Sequence, residues 1–397
     1  MLAFESQPAA LPLPTTCEHG GRAFEAIGEG LTELGRRHSV IAADVLDAWF
    51  PPAPEVLSAL REHLDWALSA SPPAGCAGLI RAIASARGLP EECLAVGAGS
   101  SALIYQALTH WLARPSRALV LEPSYGEYAH VLERLIGCRA HRLPLREVEG
   151  FAIPVVELRR CLASGQYDLA VIVNPNNPTG TFLRRAELEP ILAGAHPSTT
   201  VWVDEAYVEY AEAMGAEGER GTGRSAAVSV EGLAAASRNV VVCKSLSKAY
   251  ALSGARAAYL CGPAGLMAGL RERTPPWAVS LPAQVAAVRA MGAGGYYRER
   301  YRETHALRGA LAAQLRQAAP WRVVEGCLNS VLCLATLEMP RAAEIAEACR
   351  KRGLYIRDCS GLGQELAGRA VRIAVRRPDE NARMVHIIAD TLSTRGL

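Results

Sequence analysis

The sequence predicts an α/β fold: a large domain on a mainly parallel sheet, followed by a smaller α+β domain. Two observations carry this. Short apolar runs of four to six residues recur through the middle of the chain, separated by helical stretches. Runs of that kind, buried on both faces and alternating with helices, imply parallel pairing. Towards the C-terminus, "SVLCLATL", "GLYIRDC" and "RAVRIAV" read as a second set of strands after one long helix. The length, 397 residues, suits two domains better than one core. The expected division is 1–50 for an N-terminal arm and part of the small domain, 51–275 for the large domain, and 276–397 for the small C-terminal domain.

Residues 1–50 read as irregular, rich in Pro and Gly at first, and hold "CEHGG". "CLAVG" (93–97) is the first strand of the alternating region, and "GAGSS" is the turn after it. Leu103, Ile104, Ala107, Leu108, Trp111 and Leu112 then mark one face of a helix. "RALVLEPSY" is a strand ending in a proline loop, and "YDLAVIVNPNNPTG" is a strand with a turn-rich tail. "TTVWVDEAY" and "NVVVCKSLSK" repeat that arrangement, and "ARAAYLCGP" adds one more strand. "TPPWAVSLPAQ" (274–284) reads as a linker, and residues 296–318 as a long helix with Tyr297, Tyr301, Leu307, Leu311 and Leu315 along it. There is no internal repeat.

Composition excludes several function classes. The 42 basic and 40 acidic residues leave a net charge of +2, without the basic excess of a nucleic-acid-binding surface. No run approaches the ~18 uninterrupted apolar residues of a membrane span. The eleven cysteines are scattered without a C-x-x-C pair, and the start lacks a signal-peptide pattern. The expectation is a cytoplasmic protein with reduced, buried thiols and no metal site.

The informative residues sit at the ends of the apolar runs. "GAGSS" sets Gly99, Ser100 and Ser101 ahead of a helix, where free N–H groups and hydroxyls suit a phosphate or simply cap the helix. "NPNNPTG" fixes Asn177 in a proline-flanked turn. "VDEAY" ends a strand on Asp204, with Tyr207 three residues on. A carboxylate buried there needs a cationic partner; left exposed, it would serve only as a helix cap. "NVVVCKSLSKAYALSGAR" supplies two lysines four apart, Lys244 and Lys248, and then Arg256.

"NPNNPTG", "VDEAY" and "SLSKAYALSGAR" in this order and approximate spacing resemble the fold-type-I pyridoxal-phosphate enzymes of the class I/II aminotransferase family, from about residue 17 to the C-terminus. The resemblance implies pyridoxal 5′-phosphate as cofactor and an amino-acid or amine substrate. It makes Lys248 the Schiff-base lysine and Arg256 the phosphate ligand, and leaves Lys244 structural or solvated. Asp204 matches the partner of the pyridine nitrogen, Asn177 and Tyr207 the donors to the phenolic oxygen, and Tyr125 of "PSYGEY" the stacking aromatic. Ser245 matches a phosphate-contacting hydroxyl, with Ser247 as a further candidate. The implied chemistry is transamination through a quinonoid intermediate, with Lys248 as the base.

"HGG", "IRDC" and "RAVRIAVRRPDEN" resemble the branch of histidinol-phosphate aminotransferase and threonine-phosphate decarboxylase. In that pattern Arg372 binds the substrate α-carboxylate, and Arg357 and His19 contact a distal phosphate. The chain departs from the branch twice. "DVLDAWFPP", with Asp47 and Trp49, replaces an Asn-rich segment, and "SPPAGCAGL" lacks the tyrosine that reaches the partner subunit's cofactor. A carboxylate ~6 Å from phosphate costs about 3 kcal/mol per unit pair at an effective dielectric of ~20. Asp47 is therefore expected at the distal end, favouring a cation or hydroxyl over phosphate. A homodimer with a shared site is also implied. The competing chemistries are α-decarboxylation and γ-elimination or replacement, the latter as in synthases consuming S-adenosylmethionine. A non-catalytic regulator on this fold is the other class, which the presence of Lys248 opposes.

Overall fold

The structure is a computed structural model that describes residues 19–215 and 228–393. Cys17 and Glu18 of "CEHGG" lie outside the described residues. In chain order the strands are β1 (Ile41–Ala43), β2 (Leu94–Gly97), β3 (Arg117–Glu122), β4 (Arg139–Pro144), β5 (Leu169–Val173), β6 (Thr200–Asp204), β7 (Val240–Ser245), β8 (Ala258–Cys261), β9 (Arg322–Val324), β10 (Ser330–Leu334), β11 (Leu354–Asp358) and β12 (Ala370–Ala374).

Seven of them form one sheet in the order β2-β8-β7-β6-β5-β3-β4. Pairing is parallel from β4 through β7, and antiparallel where β8 meets β7 and β2. The apolar runs work as the sequence implies, because period two sends alternate residues to opposite faces. Ala170, Ile172, Val201, Val203, Val240 and Val242 join one apolar cluster, while Val171, Trp202, Val241 and Cys243 join another across the sheet. With β8 running against its neighbours, the carboxyl ends of β2, β3, β5, β6 and β7 all emerge at one edge. That edge is where an open α/β sheet binds its ligand.

The second sheet runs β1-β11-β12-β10-β9, antiparallel except for β1 against β11. Its edge strand β1 comes from residues that read as irregular in the sequence; three residues are too few to show a period. β1 and the segment after it are held by Arg376, whose guanidinium donates to the carbonyls of Ala42, Val45 and Asp47. The expected linker is also shorter than the sequence suggests. Ser280 caps a helix over Leu281–Gly292, its hydroxyl accepting from Ala283 N–H at 3.3 Å. Pro282 falls in that helix's first turn, where a missing N–H costs nothing. The helix packs on Pro54–Ser69 and Ala77–Arg87. Among the described residues, no helix is long and apolar enough to cross a membrane.

Candidate active site

The carboxyl edge of the large sheet opens into a cavity of about 180 Å³, closed from the other side by the segment after β1 and by β12. Lys248, Asp204, Asn177, Tyr207, Tyr125 and Arg372 all line it, as do Ser100, Ser245 and His19.

Each side chain arrives there for a local reason. The loop "NPNNP" follows β5, and two of its three asparagines are spent on the loop itself. Asn174 exchanges hydrogen bonds with the Leu183 backbone at 2.8–2.9 Å, and Asn176 donates to Pro123 O and Thr179 Oγ1, both at 2.9 Å. Asn177 is left to face the cavity. Asp204 ends β6, 4 % exposed. Its Oδ2 accepts from the Tyr128 hydroxyl at 2.7 Å, which accepts from Trp202 Nε1, also at 2.7 Å. Its Oδ1 accepts from Ala206 N–H at 2.9 Å. Burial outweighs these donors and pushes the Asp204 carboxyl up to about 6. A carboxylate so placed is held rigidly and gains from a cation set against it. Burial also pushes the Tyr207 phenol up, so it stays a hydroxyl donor.

The helix Ser100–Trp111 starts behind Gly99, at φ +94°, and the guanidinium of Arg256 presses on that glycine. A Cβ at Gly99 would stand 2.3 Å from Arg256 Nη2, so only glycine lets the arginine approach the helix start. Arg256 Nη1 donates to Ser247 Oγ at 3.2 Å and Ser253 O at 3.3 Å. A guanidinium against a helix N-terminus suits a dianion, and Ser100 and Ser245 line the cavity. Ser101 is not part of it: its hydroxyl donates to Glu127 at 2.9 Å, as does the Tyr125 hydroxyl at 2.5 Å.

Arg372 on β12 is buried. It donates to Asn177 Oδ1 at 2.7 Å and to Asp44 O at 2.9 Å, and its Nε has no partner. An orphaned guanidinium N–H in a cavity wall fits an incoming carboxylate. Lys248 Nζ lies 2.9 Å from Asp47 Oδ1. Burial would raise the Asp47 carboxyl, but the Lys248 charge, Ser253 and Arg376 together hold it below its ordinary value. The structure adds a contact that the sequence expectation for Asp47 did not include: it sits against the lysine amine. Lys244 is not solvated. It is fully buried, 2.9 Å from Glu209, 3.6 Å from Glu205 and 3.9 Å from Glu231.

His19 is exposed on the cavity wall, its ring centroid 6.3 Å from that of Tyr125. Arg357 stands opposite Arg372 across β11 and β12 but lines a second cavity, with Glu122, Arg142 and Asp358. The two cavities share Tyr125 in their walls, with His19 on one and Arg357 on the other. Sequence reasoning missed Asp44, Tyr128, Glu127 and Arg376. Only Tyr128 and Glu127 carried a signal, as polar residues in "PSYGEY" beside Tyr125.

The residues fit pyridoxal phosphate on three structural counts: the Gly99–Arg256 approach at a helix start, the buried carboxylate of Asp204, and a partly exposed lysine lining the same cavity as Asp204. Comparison with known proteins agrees. The family model "Aminotransferase class I and II" matches residues 47–388. An aromatic amino acid aminotransferase of Thermobifida fusca (strain YX) is 30% identical over 336 residues, covering 84% of this chain and 85% of that one. A histidinol-phosphate aminotransferase of Ruegeria sp. (strain TM1040) is 29% identical, covering 82% of this chain and 87% of that one. In fold, the chain is similar to histidinol-phosphate aminotransferase from Sinorhizobium meliloti, solved with pyridoxal-5′-phosphate, with a TM-score of 0.79 at 19% identity over 99% of this chain and 100% of the other. The L-threonine-O-3-phosphate decarboxylase of Porphyromonas gingivalis shares the fold at a TM-score of 0.72 and 24% identity, over 89% of this chain and 98% of the other. The chain belongs to the class I and II aminotransferase family, as a pyridoxal-phosphate-dependent enzyme.

Proposed function

We propose that this enzyme moves the amino group of a non-phosphorylated L-amino acid to a 2-oxo acid, with Lys248 as the working lysine. One observation carries the reading: an amine, a buried carboxylate and a guanidinium with an unpartnered Nε line a single cavity. Bound pyridoxal phosphate supplies an electron sink for the pair released when a bond at the substrate α-carbon breaks.

The chain's own residues would do the rest. Asp204, oriented by Tyr128 and Ala206, favours a proton on the ring nitrogen, since an opposite charge within ~4–6 Å stabilises the charged form. Arg372 presents its fork to the α-carboxylate and so fixes which α-carbon bond faces the ring. Lys248 Nζ would be the group that holds and moves the proton of the substrate α-carbon. Asn177 and Tyr207 offer an amide and a phenol to the ring's phenolic oxygen, and Gly99, Ser100, Ser245 and Arg256 hold the phosphate. A homodimer belongs to the proposal. Trp66, Leu68 and Trp277 are each more than half exposed, at 59%, 71% and 57%, and single-chain solubility disfavours such side chains.

Product analysis tests the reaction. The purified holoenzyme is incubated with a panel of amino acids, with and without 2-oxo acids. The expected result is amino transfer that depends on the oxo acid, with histidinol phosphate and threonine phosphate among the poor substrates. Carbon dioxide release without an oxo acid would move the enzyme to the decarboxylase reading. Efficient turnover of either phosphate ester would overturn the substrate class.

A further inference from the structure

The cavity wall holds a carboxylate that the reaction does not use. Asp44 follows β1 and is 3 % exposed. Its Oδ2 accepts from Gly21 N–H at 2.6 Å and Arg22 N–H at 3.0 Å, and its Oδ1 has no partner. It lines the same cavity as Lys248 and Arg372, and its backbone carbonyl receives the Arg372 guanidinium. An unpartnered buried carboxylate oxygen is costly, and its cost is relieved by a donor or a cation.

The charges around the cavity show what is missing. Three carboxylates, Asp44, Asp47 and Asp204, stand against Lys248, Arg372 and Arg376. On the aminotransferase reading, Asp204 would be matched by the ring nitrogen, Arg372 by the substrate carboxylate, and Lys248 would be drawn from Asp47 towards the cofactor. Arg376 gives its N–H groups to the carbonyls of Ala42, Val45 and Asp47, not to either carboxylate. Asp44 and Asp47 together then exceed the single remaining cation. Arg357 faces the second cavity. An anionic substrate tail would add to this excess.

Resting on the aminotransferase reading above, we infer that Asp44, with Asp47, selects a substrate whose side chain carries a positive charge, such as a guanidinium or an ammonium. A guanidinium presents a planar fork of donors that a carboxylate accepts in pairs. Neutral analogues of the same shape leave the carboxylate desolvated and unpaired, so discrimination falls on them.

L-Arginine and L-citrulline isolate this effect, because they differ by guanidinium against urea with nearly the same shape. L-Lysine and L-norleucine do the same for an ammonium. Each is titrated into the holoenzyme and its dissociation constant read from cofactor absorbance and calorimetry. At least one cationic member should bind about tenfold or more tighter than its neutral twin, and Asp44→Asn should bring that ratio towards one while moving the neutral twin less than about threefold. Asparagine keeps an oxygen for the Gly21 and Arg22 N–H groups, so the loop can persist. The wild-type comparison decides the charge preference without any variant, and Asp47→Asn gives a second reading of the ratio. Equal binding of both twins in the wild type overturns the inference, as does a ratio unmoved in both variants. If neutral amino acids bind and react while cationic ones do not, this inference fails alone. If no amino acid of any charge perturbs the cofactor, the aminotransferase reading fails with it.

Discussion

Lys244 and Lys248 stand four residues apart where β7 ends, and Asp204 and Glu205 are neighbours where β6 ends, yet each pair is split between two environments. Lys248 and Asp204 line the cavity. Lys244 and Glu205 sit behind it, both at most 1 % exposed, in a cluster with Glu209, Glu231 and Arg87. Burial alone would push the Lys244 amine down, but Glu209, and with it Glu231 and Glu205, raise it above its ordinary value. Lys244 is thus a fixed cation. Lys248 has one carboxylate, Asp47, and a side chain a quarter exposed. The difference is one of compensation: Lys244 is enclosed by several carboxylates that fix its charge, whereas Lys248 meets a single carboxylate and lies open to the cavity.

The largest effect expected from this contrast is on turnover. Lys248→Ala should lose at least about 10²–10⁴-fold in rate, the range for a removed acid–base group. The variant should still bind pyridoxal phosphate through Arg256, Ser245 and Asp204, without a covalent bond. Borohydride reduction of the wild-type holoenzyme followed by peptide mapping checks the assignment, and label on Lys244 would invert it.

Next in size is a loss of stability from the other lysine. Lys244→Met removes the centre of the buried cluster and leaves Glu205, Glu209 and Glu231 with Arg87 as their nearest cation. Breaking a buried pair by removing one partner costs about 3–5 kcal/mol. Denaturant unfolding should show this loss, and Glu209→Gln added to Lys244→Met should recover part of it. A Lys244→Met protein as stable as the wild type would mean that the cluster is not held by its charges.

Much of this arrangement was legible in the sequence, and the parts that were not share a cause. Asp204, Ser245 and Lys248 stood out because polar residues closed runs of valine, and a short-range pattern shows that anomaly. The parallel sheet followed from the same runs. Asp44 lay in "IAADVLDAWF" without periodicity to mark it, and its carbonyl meets Arg372, 328 residues away. The Asp47–Lys248 contact spans 201 residues, and the position of Asp47 in its segment gives no sign of it. Lys244 could be read as structural or solvated because its partners Glu209 and Glu231 belong to other segments. Contacts set by how two sheets pack leave no local trace, whereas the end of a strand does.

The smallest effect concerns protons, and it separates the two regions by their carboxylates. Burial raises the Asp204 carboxyl to about 6 from an ordinary value near 3.8. The folded cofactor-free protein therefore binds this proton more tightly than the unfolded chain does. The contribution is fully present below about pH 4 and is lost as pH rises through about 6. The shift corresponds to on the order of 3 kcal/mol. Measured as the difference between the cofactor-free wild type and Asp204→Asn, stability should fall over that window. Added pyridoxal phosphate should flatten the fall, because a protonated ring nitrogen beside Asp204 favours its ionised form. Glu205 is also raised, by burial and then by Glu231 against the pull of Lys244, but it faces the enclosed cluster. Its part of the pH dependence, read with Glu205→Gln, should therefore be unchanged by the cofactor. A cofactor response carried by Glu205 instead of Asp204 would place the ring on the wrong side of β6 and reverse the roles of the two regions.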